Sequence, residues 1–518
     1  MKLRGSTIHP LGEAQNTQLS PKIATEDRPQ IEIDTFDGKV HVEWDSDAEL
    51  TPYGQLPFFI QFLKVGHRFD PWVEECPLEY TSNNAPKVRD VLGSLLLSVL
   101  SGHQRFIHMT ALRNDTVNSS LLGMSKIIGC DSARRALSKI DEDKGTAWLR
   151  AHLNACYLPL LSTSWILDVD VTVKPLYGFQ EGAVKGYNPH KQGRPSHAYH
   201  SYLIANLRLV LDVEVQPGNQ TSSSHSLPRL LSLLEQFPAD CKPEFVRGDC
   251  DWGADSVMTA LEEVSQSYLF KMKKGSGVKK LLRSQHGQGG WKNFNRYWEV
   301  KESEIQLGSW KHARRVILMR RKLQKSDELV LEHKVNGQLS LGFIEEPEEF
   351  KLYEYSVLVT DLNKDVISIV QLYRDRADCE NNFDELKNHW GWGGFTTHKM
   401  HSTQMMARIV ALIYNWWSLF VRLINPNSHL EAITSRPLLL SSIGKLTKSG
   451  RQKFLKLTHS HANHEAVAGT YHRVMQFFEQ LKSTTQQLTK KEYWQLIIEK
   501  IIELIGVKRG LIPITSSG

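Results

Sequence analysis

Hydrophobic and polar positions divide the chain into helical, then alternating, then again helical territory. Residues 1–50 are polar, short of apolar periodicity and locally acidic between Glu26 and Glu49, which predicts a loosely ordered arm. From about Leu56 to Leu161 apolar residues recur at helical spacing, as in VRDVLGSLLLSVLSGHQRFIHMTALR. Within this part, VNSSLLGMSKIIGCDSARRALSKID predicts a helix, a tight turn at Gly129-Cys130 and a second helix capped by Asp131 or Ser132. The pattern changes at Trp165. WILDVDVTV, YHSYLIAN and LRLVLDVEV are β-rich, the last two close enough to form a hairpin. A helix is expected over Ser224–Gln236, a strand over Glu244–Gly248, a helix over Ala254–Ser265 and a strand at YLFKMK. The next 80 or so residues break this alternation with GSG at 275–277, GQGG at 287–290 and strand-like WKHARRVILMRR, so a β-rich insertion is expected. YEYSVLVTD (353–361) is a further strand, and from about Met400 the chain is helical again, through MMARIVALIYNWWSLFVRLI and YWQLIIEKIIELI. There is no internal repeat.

Three strands, helix, strand, helix, strand is the order of a mixed α/β sheet of the RNase H-like kind. The expected organisation is an arm (1–50), a helical DNA-binding domain (51–161), an α/β core (162–274 and 353–400), a β-rich insertion (275–352) and a C-terminal helical region (401–518). A length of 518 residues fits two to four domains, and 41% hydrophobic with 23% charged residues fits a globular protein. No run of about 18 uninterrupted apolar residues exists, so no membrane partner is expected, and the first residues lack a secretory apolar core. Six scattered cysteines without a C-x-x-C pair suit reduced thiols in cytoplasm.

Charge changes the picture more. The net charge is +6, but Lys271 to Lys325 hold 16 Lys and Arg against Glu299, Glu302 and Glu304, a local excess of +13. Such a block is either an electrostatic footprint for nucleic acid or a solvated surface. Arg314 and Arg315 within it are candidate phosphate contacts. So are Arg134 and Arg135 on the second helix of the predicted helix-turn-helix.

Candidate chemistry centres on YRDRADCENNFDELK, Tyr373 to Lys387. On one helix, Tyr373, Arg376 and Lys387 lie within roughly 40° of Glu380. A carboxylate flanked by cations can hold a hard divalent metal beside a phosphate, although a salt-bridged surface helix has the same composition. Two-metal phosphoryl transfer needs carboxylates from distant elements. Asp168 and Asp170 share one face of WILDVDVTV, and either could instead be a structural ion pair. Asp170 is the first choice and Asp168 the reserve. Asp249 closes FVRGD, and Glu380 would be the third acid. Oxygen ligands without a Cys/His cluster indicate Mg²⁺, with Mn²⁺ able to substitute.

These motifs together resemble the bacterial cut-and-paste DDE transposases with the Y-x2-R-x3-E-x6-K signature. The resemblance is carried by Asp170-Val171-Thr172 followed by Gly178 and the FQEGAVKGYNPHKQGRPSHAYH loop, by Gly248-Asp249, and by RADCEN at 376–381. It covers roughly Leu56 to Ile424. The 131 residues from Asp249 to Glu380 leave room for the β-rich insertion of that family. The resemblance implies Asp170, Asp249 and Glu380 as catalytic metal ligands, cleavage at transposon ends and strand transfer into target DNA by a homodimer. It implies partners in terminal inverted repeats and target DNA, and a bacterial cytoplasmic, nucleoid-associated location. Excision by such enzymes commonly passes through a DNA hairpin with a flipped base. Trp291, Trp298 and Trp310 are candidates to stack on it, Trp298 first, unless they are core residues. The alternatives are an RNase H-like nuclease or domesticated recombinase, and a non-catalytic DNA-binding protein.

Overall fold

The computed structural model describes residues 31–42, 45, 48–188, 191–220, 222–323, 350, 352–459, 464–484 and 488–506. The chain divides into two compact units, Met1–Glu49 and Leu50–Gly518. In the first, β1 (Ile31–Thr35) and β2 (Gly38–Val42) pair antiparallel, so part of the predicted loose arm is a hairpin. Its alternation is regular: Ile31 and Ile33 face Val42 and Val40 across the pair. Residues 1–30 of that predicted arm lie outside the described residues.

The second unit opens with β3 (Leu50–Thr51) and a series of helices, Leu56–Val65, Phe69–Glu74, Val88–Leu100, Thr116–Leu121, Cys130–Lys139 and Glu142–Tyr157. The predicted helix-turn-helix is not formed as expected. Its first helix stops at Leu121, eight residues of turn and coil follow, and the second begins at Cys130 behind Gly129 without a side-chain cap. Ile127 and Ile128 in the connection are buried, so the segment is tied to the core instead of continuing as helix. Asp131 lies inside the first turn, where its charge favours the helix N-terminus.

Among the described residues the central sheet has ten strands. They are β4 (Ile166–Pro175), β5 (Val184–Lys185), β6 (Pro195–Ile204), β7 (Leu209–Pro217), β8 (Phe245–Gly248), β9 (Tyr268–Lys271), β10 (Lys292–Asn293), β11 (Trp298–Ile305), β12 (Arg314–Lys322) and β13 (Tyr353–Thr360). Five of them run β7-β6-β4-β8-β9, with β6 antiparallel to β4 and β7, and β8 parallel to β4 and β9. The insertion strands are not a separate sheet: β12 pairs with β13, which pairs with β9, so β10 to β13 extend the same sheet. Residues 324–349 and 351 of the insertion, like Pro189 and His190 of the loop after β5, lie outside the described residues.

One face of the sheet carries Ile166, Phe245, Leu269, Ile317 and Leu358, and is covered by the helix Val366–Arg374 through Val366, Ile369 and Val370. The opposite face, with Leu167, Val169, Val213 and Val246, joins the main core that runs through the N-terminal helices and the helix Met400–Ile424. That helix is long and apolar enough to cross a membrane by length and composition, yet 89% of its most apolar window is buried inside the protein. Full burial of each such side chain is worth roughly 1.5–3 kcal/mol, so this one helix anchors the unit. The C-terminal region is not all helix, for β14 (Gly444–Ser449) and β15 (Gln452–Leu457) form a hairpin whose root pairs with β3. The helices His464–Ser483 and Lys490–Leu504 follow, the second closed by a Thr489–Glu492 capping box.

A buried carboxylate ties these layers together. Asp212 on β7 accepts from Arg150 (2.7 Å), Arg229 (2.9 Å) and Arg408 (2.8 Å), which come from three different helices. Burial by itself would raise the Asp212 carboxyl, but the three guanidinium groups hold it well below the usual range. Asp212→Ala leaves the buried Arg408 and the half-buried Arg229 without their carboxylate, while Arg150 keeps Glu214, and is expected to cost about 3–5 kcal/mol in denaturant unfolding. Because the folded pKa is depressed, this stabilisation is fully present above the unfolded value of about 3.9 and lost as pH falls through the folded value. The difference between variant and wild type should therefore persist from neutral pH down to pH ~4 and shrink only in stronger acid.

Candidate active site

β4 lies beside β8 in parallel register, with Asp168 opposite Arg247 and Val169 opposite Gly248. One residue further on, Asp170 and Asp249 emerge from neighbouring strands, whose spacing is about 4.8 Å. Alternation sends Asp168 and Asp170 to the face of Ile166, toward the helix Val366–Arg374, and Leu167 and Val169 into the main core. The two acids of β4 then part company. Asp168 is fully buried in a bidentate pair with Arg247, 2.6 and 2.7 Å, and is structural. Arg247 also donates to the Leu372 carbonyl at the end of that helix. Asp170 takes no part in that pair. Gly248 has a local reason too: a Cβ there would lie 2.8 Å from the ring of buried Trp252.

The signature segment is not one helix, which corrects the helical-face expectation. Val366–Arg374 ends, Asp375 and Arg376 make a turn, and Ala377–Asn388 begins with Arg376 as its N-cap. Glu380 and Lys387 share the second helix, roughly 10 Å apart along its axis, while Tyr373 approaches from the first. The turn places the buried Arg376 guanidinium between acids: Nη2 donates to Asp170 Oδ2 (2.6 Å) and Nη1 to Glu380 Oε1 (2.8 Å). Asp170 and Glu380 are thus separated by one guanidinium and two hydrogen bonds. Arg376 was expected on a DNA phosphate; here the carboxylates have it.

Electrostatics mark the same spot. Burial raises the Asp170 carboxyl to about 6, Arg376 working against the rise and Asp249 and Glu380 adding to it. Burial also raises Asp249, whose Oδ1 accepts the Asp251 backbone N–H at 2.9 Å. Half-buried Tyr373 is pushed up chiefly by burial, with Asp249 and Glu380 among the neighbouring charges. Glu380 itself is 65% exposed. Among the described residues no three His, Cys, Asp or Glu side chains stand close enough together to hold a metal ion. The donor set nonetheless fits a hard cation: all-oxygen, with two carboxylates at adjacent strand ends that burial raises despite Arg376.

Several predicted DNA contacts are occupied within the protein. Arg314 is buried between Asp255 (2.6 Å) and Glu262 (2.7 Å), over the Trp310 ring, so its assignment to phosphate is corrected. Arg315 is likewise tied, to Glu302 (2.6 Å) and to the Leu362 and Lys364 carbonyls. Arg320 pairs with Glu299 over Trp291, and Arg321 with Glu354 over Trp298. Trp298 is half-buried beneath that arginine, while neighbouring Tyr297 is exposed. Arg134 pairs with Asp131 at 3.0 Å and lies over Phe106, whereas Arg135 is exposed and donates to the Asp131 carbonyl. Sequence reasoning missed Lys174, buried on β4 four residues past Asp170, whose amine donates to Tyr199 Oη (3.2 Å) and the Gly394 carbonyl. Burial lowers that amine to about 7. Its signal was a lysine continuing the face of Asp168 and Asp170 in a buried strand.

The transposase DDE domain group 1 family model matches residues 80–479, more than half of the chain, and the chain belongs to that family. No curated protein matches the sequence. Among solved structures it is similar to the cryo-EM structure of the piggyBac transposase synaptic complex with hairpin DNA, at 10% identity and a TM-score of 0.38, over 90% of this chain and 87% of that one.

Arg376 supplies the positive charge this acid cluster needs. Arg376→Gln should therefore lower the melting temperature of the metal-free protein by several degrees, on the order of 1–3 kcal/mol for a carboxylate pair that loses its partner. Mn²⁺ should restore more of that stability in the variant than it adds to wild type. Equal metal-induced shifts in both proteins would show that Arg376 and the cation do not compete for the same charge.

Proposed function

We propose that this transposase-family protein cleaves phosphodiester bonds at the ends of its own element and joins those ends to target DNA. The observation that carries this reading is the bridge that Arg376 makes between Asp170 and Glu380, with Asp249 following the neighbouring strand end. The strand order β7-β6-β4-β8-β9 supports an RNase H-like core with the acids at one end of its two central parallel strands. In this reading residues 51–161 and 401–518 flank the core with DNA-contacting and scaffolding helices, and residues 275–352 insert into it.

Asp170, Asp249 and Glu380 would hold Mg²⁺, or Mn²⁺ in its place. When bound, the metal supplies activation of water or a 3′-hydroxyl and stabilisation of the leaving oxygen. The rest is done by the chain. The Asp251 and Val171 backbone N–H groups fix the two aspartates in orientation. Arg376 neutralises the cluster before substrate arrives and can turn to a phosphate beside the scissile bond when a metal takes over that charge. Lys387, on the face of Glu380, offers a point charge to the same backbone. Tyr373 keeps its proton and donates a hydrogen bond to a phosphate oxygen. The substrates are terminal inverted repeats and target DNA, handled by a homodimer in the bacterial cytoplasm at the nucleoid.

Asp249→Asn and Glu380→Gln should each reduce Mg²⁺-dependent cleavage of labelled end DNA by at least about a hundredfold. Binding of the same DNA should change little, since phosphate contacts lie elsewhere. Normal cleavage by either variant sinks the assignment of that acid. Cleavage without joining to a target, in wild type, would favour a nuclease of the same fold.

A further inference from the structure

The basic block anticipated between Lys271 and Lys325 spends Arg314, Arg315, Arg320 and Arg321 on internal carboxylates, which leaves open where a polyanion would be met. A second basic segment answers that. From Ala432 to His464 the chain has no Asp or Glu, and within it GKLTKSGRQKFLKL, Gly444 to Leu457, holds five cations. This stretch is the β14–β15 hairpin.

Its register sets like charges against each other. Lys445 lies opposite Lys456 and Lys448 opposite Lys453, and the two-residue loop Gly450-Arg451 puts a fifth cation at the tip. Gly450 has a positive φ of 58° at the first loop position, the conformation of a tight hairpin turn that glycine adopts without strain. Directly opposed like charges destabilise a strand pair, so folding alone does not favour this arrangement. The root is nevertheless rigid: β14 pairs with β3, Gly54 N–H donates to the Ser442 carbonyl at 2.7 Å, and Thr458 N–H to the Ile443 carbonyl at 2.9 Å. One face turns Leu446 and Leu455 toward the body of the protein. The other presents Lys445, Lys456, Gln452 and Ser449 around Phe454, which is 46% exposed.

We propose that the hairpin Gly444–Leu457 is a docking surface for the phosphate backbone of duplex DNA. The proposal rests on the transposase reading for its choice of polyanion. Charge complementarity supports it: Lys445 and Lys456, directly opposed on one face, are neutralised by a ligand carrying one negative charge per roughly 1.7 Å of axis. Shape supports it as well. A two-stranded ribbon with six residues in each strand reaches about 20 Å, and the major groove, about 12 Å wide, admits such a ribbon. Lys445 and Lys456 then meet phosphates on the groove walls with Phe454 packing on sugar between them, while Arg451 at the tip and Lys453, on the Leu455 face beside it, reach phosphates past the end of the ribbon.

The test replaces Lys445, Arg451, Lys453 and Lys456 together by Gln in the full-length chain. Binding of a fluorescently labelled random-sequence duplex is measured by anisotropy across a salt series. The expected result is weaker binding and a log–log salt slope shallower by roughly 2–4, at about 0.9 for each lost contact. A Lys445→Arg/Lys453→Arg/Lys456→Arg variant should keep the wild-type slope. Should the fourfold variant melt early, Arg451→Gln/Lys453→Gln at the exposed tip carries the test, with about half the change in slope. Unchanged affinity and slope overturn the proposal. A change in sedimentation without a change in DNA binding assigns the hairpin to a protein partner and overturns it equally. Wild-type protein that fails to bind duplex at all would instead overturn the transposase reading, so the two failures are distinguishable.

Discussion

The geometry of the candidate site depends on one buried ion pair, Asp168 with Arg247. Neither side chain is exposed, and the two hydrogen bonds between them cross from β4 to β8. An unmatched charge at that depth would cost several kcal/mol, so a one-residue slip between the strands is strongly disfavoured. That register brings Asp170 and Asp249 out side by side. The remaining reach of Arg247, to the Leu372 carbonyl, fixes the end of the helix Val366–Arg374, and the turn that follows brings Arg376 onto Asp170 with Glu380 on its other side. A charged pair inside the sheet thus sets the position of three candidate acids without touching their chemistry.

The same device recurs through the molecule. Asp212 gathers three arginines between β7 and the helices around it, and Arg314 gathers Asp255 and Glu262 between β12 and the helix Asp255–Glu263. Arginine suits these places because its planar fork satisfies two acceptors at once and never loses its charge. In the extended part of the sheet the arginines also cover Trp291, Trp298 and Trp310, so cation and aromatic surface are joined to each other. A long stretch of positive charge in sequence is here partly mortar between strands.

Much of the core was legible because its signals are local. Alternation in WILDVDVTV, the strand-ending Gly248-Asp249 pair and the helix-strand order after Leu209 all express short-range rules, and the succession of five strands and two helices along the chain followed from them. What could not be read was pairing between distant elements. Asp168 and Asp170 share one face, and strand periodicity cannot distinguish them; the distinction is made by Arg247, 79 residues away. The basic block seemed unpaired since Asp255, Glu262 and Glu354 lie outside its boundaries, and Glu299 and Glu302 reach their arginines only across β11 and β12. The hairpin β14–β15 was hidden for another reason. Its lysines break the apolar alternation that announces a strand, and the long helices on either side dominate the pattern.

The break at Asp375–Arg376 shows why the spacing of the signature matters even though one helix does not carry it. A continuous helix would keep Arg376 and Glu380 on a single face with Tyr373 and would hold the guanidinium beside its own helix. Ending the first helix at Arg374 makes Arg376 the N-cap of the second, so its side chain leaves from the turn toward β4 while Glu380 stays one turn away. Asp170 and Glu380 on either side of this turn repel each other, and the burial of Asp170 strengthens that repulsion. An arginine between them lets both acids fold into place side by side, its two terminal nitrogens each satisfying one carboxylate across the turn.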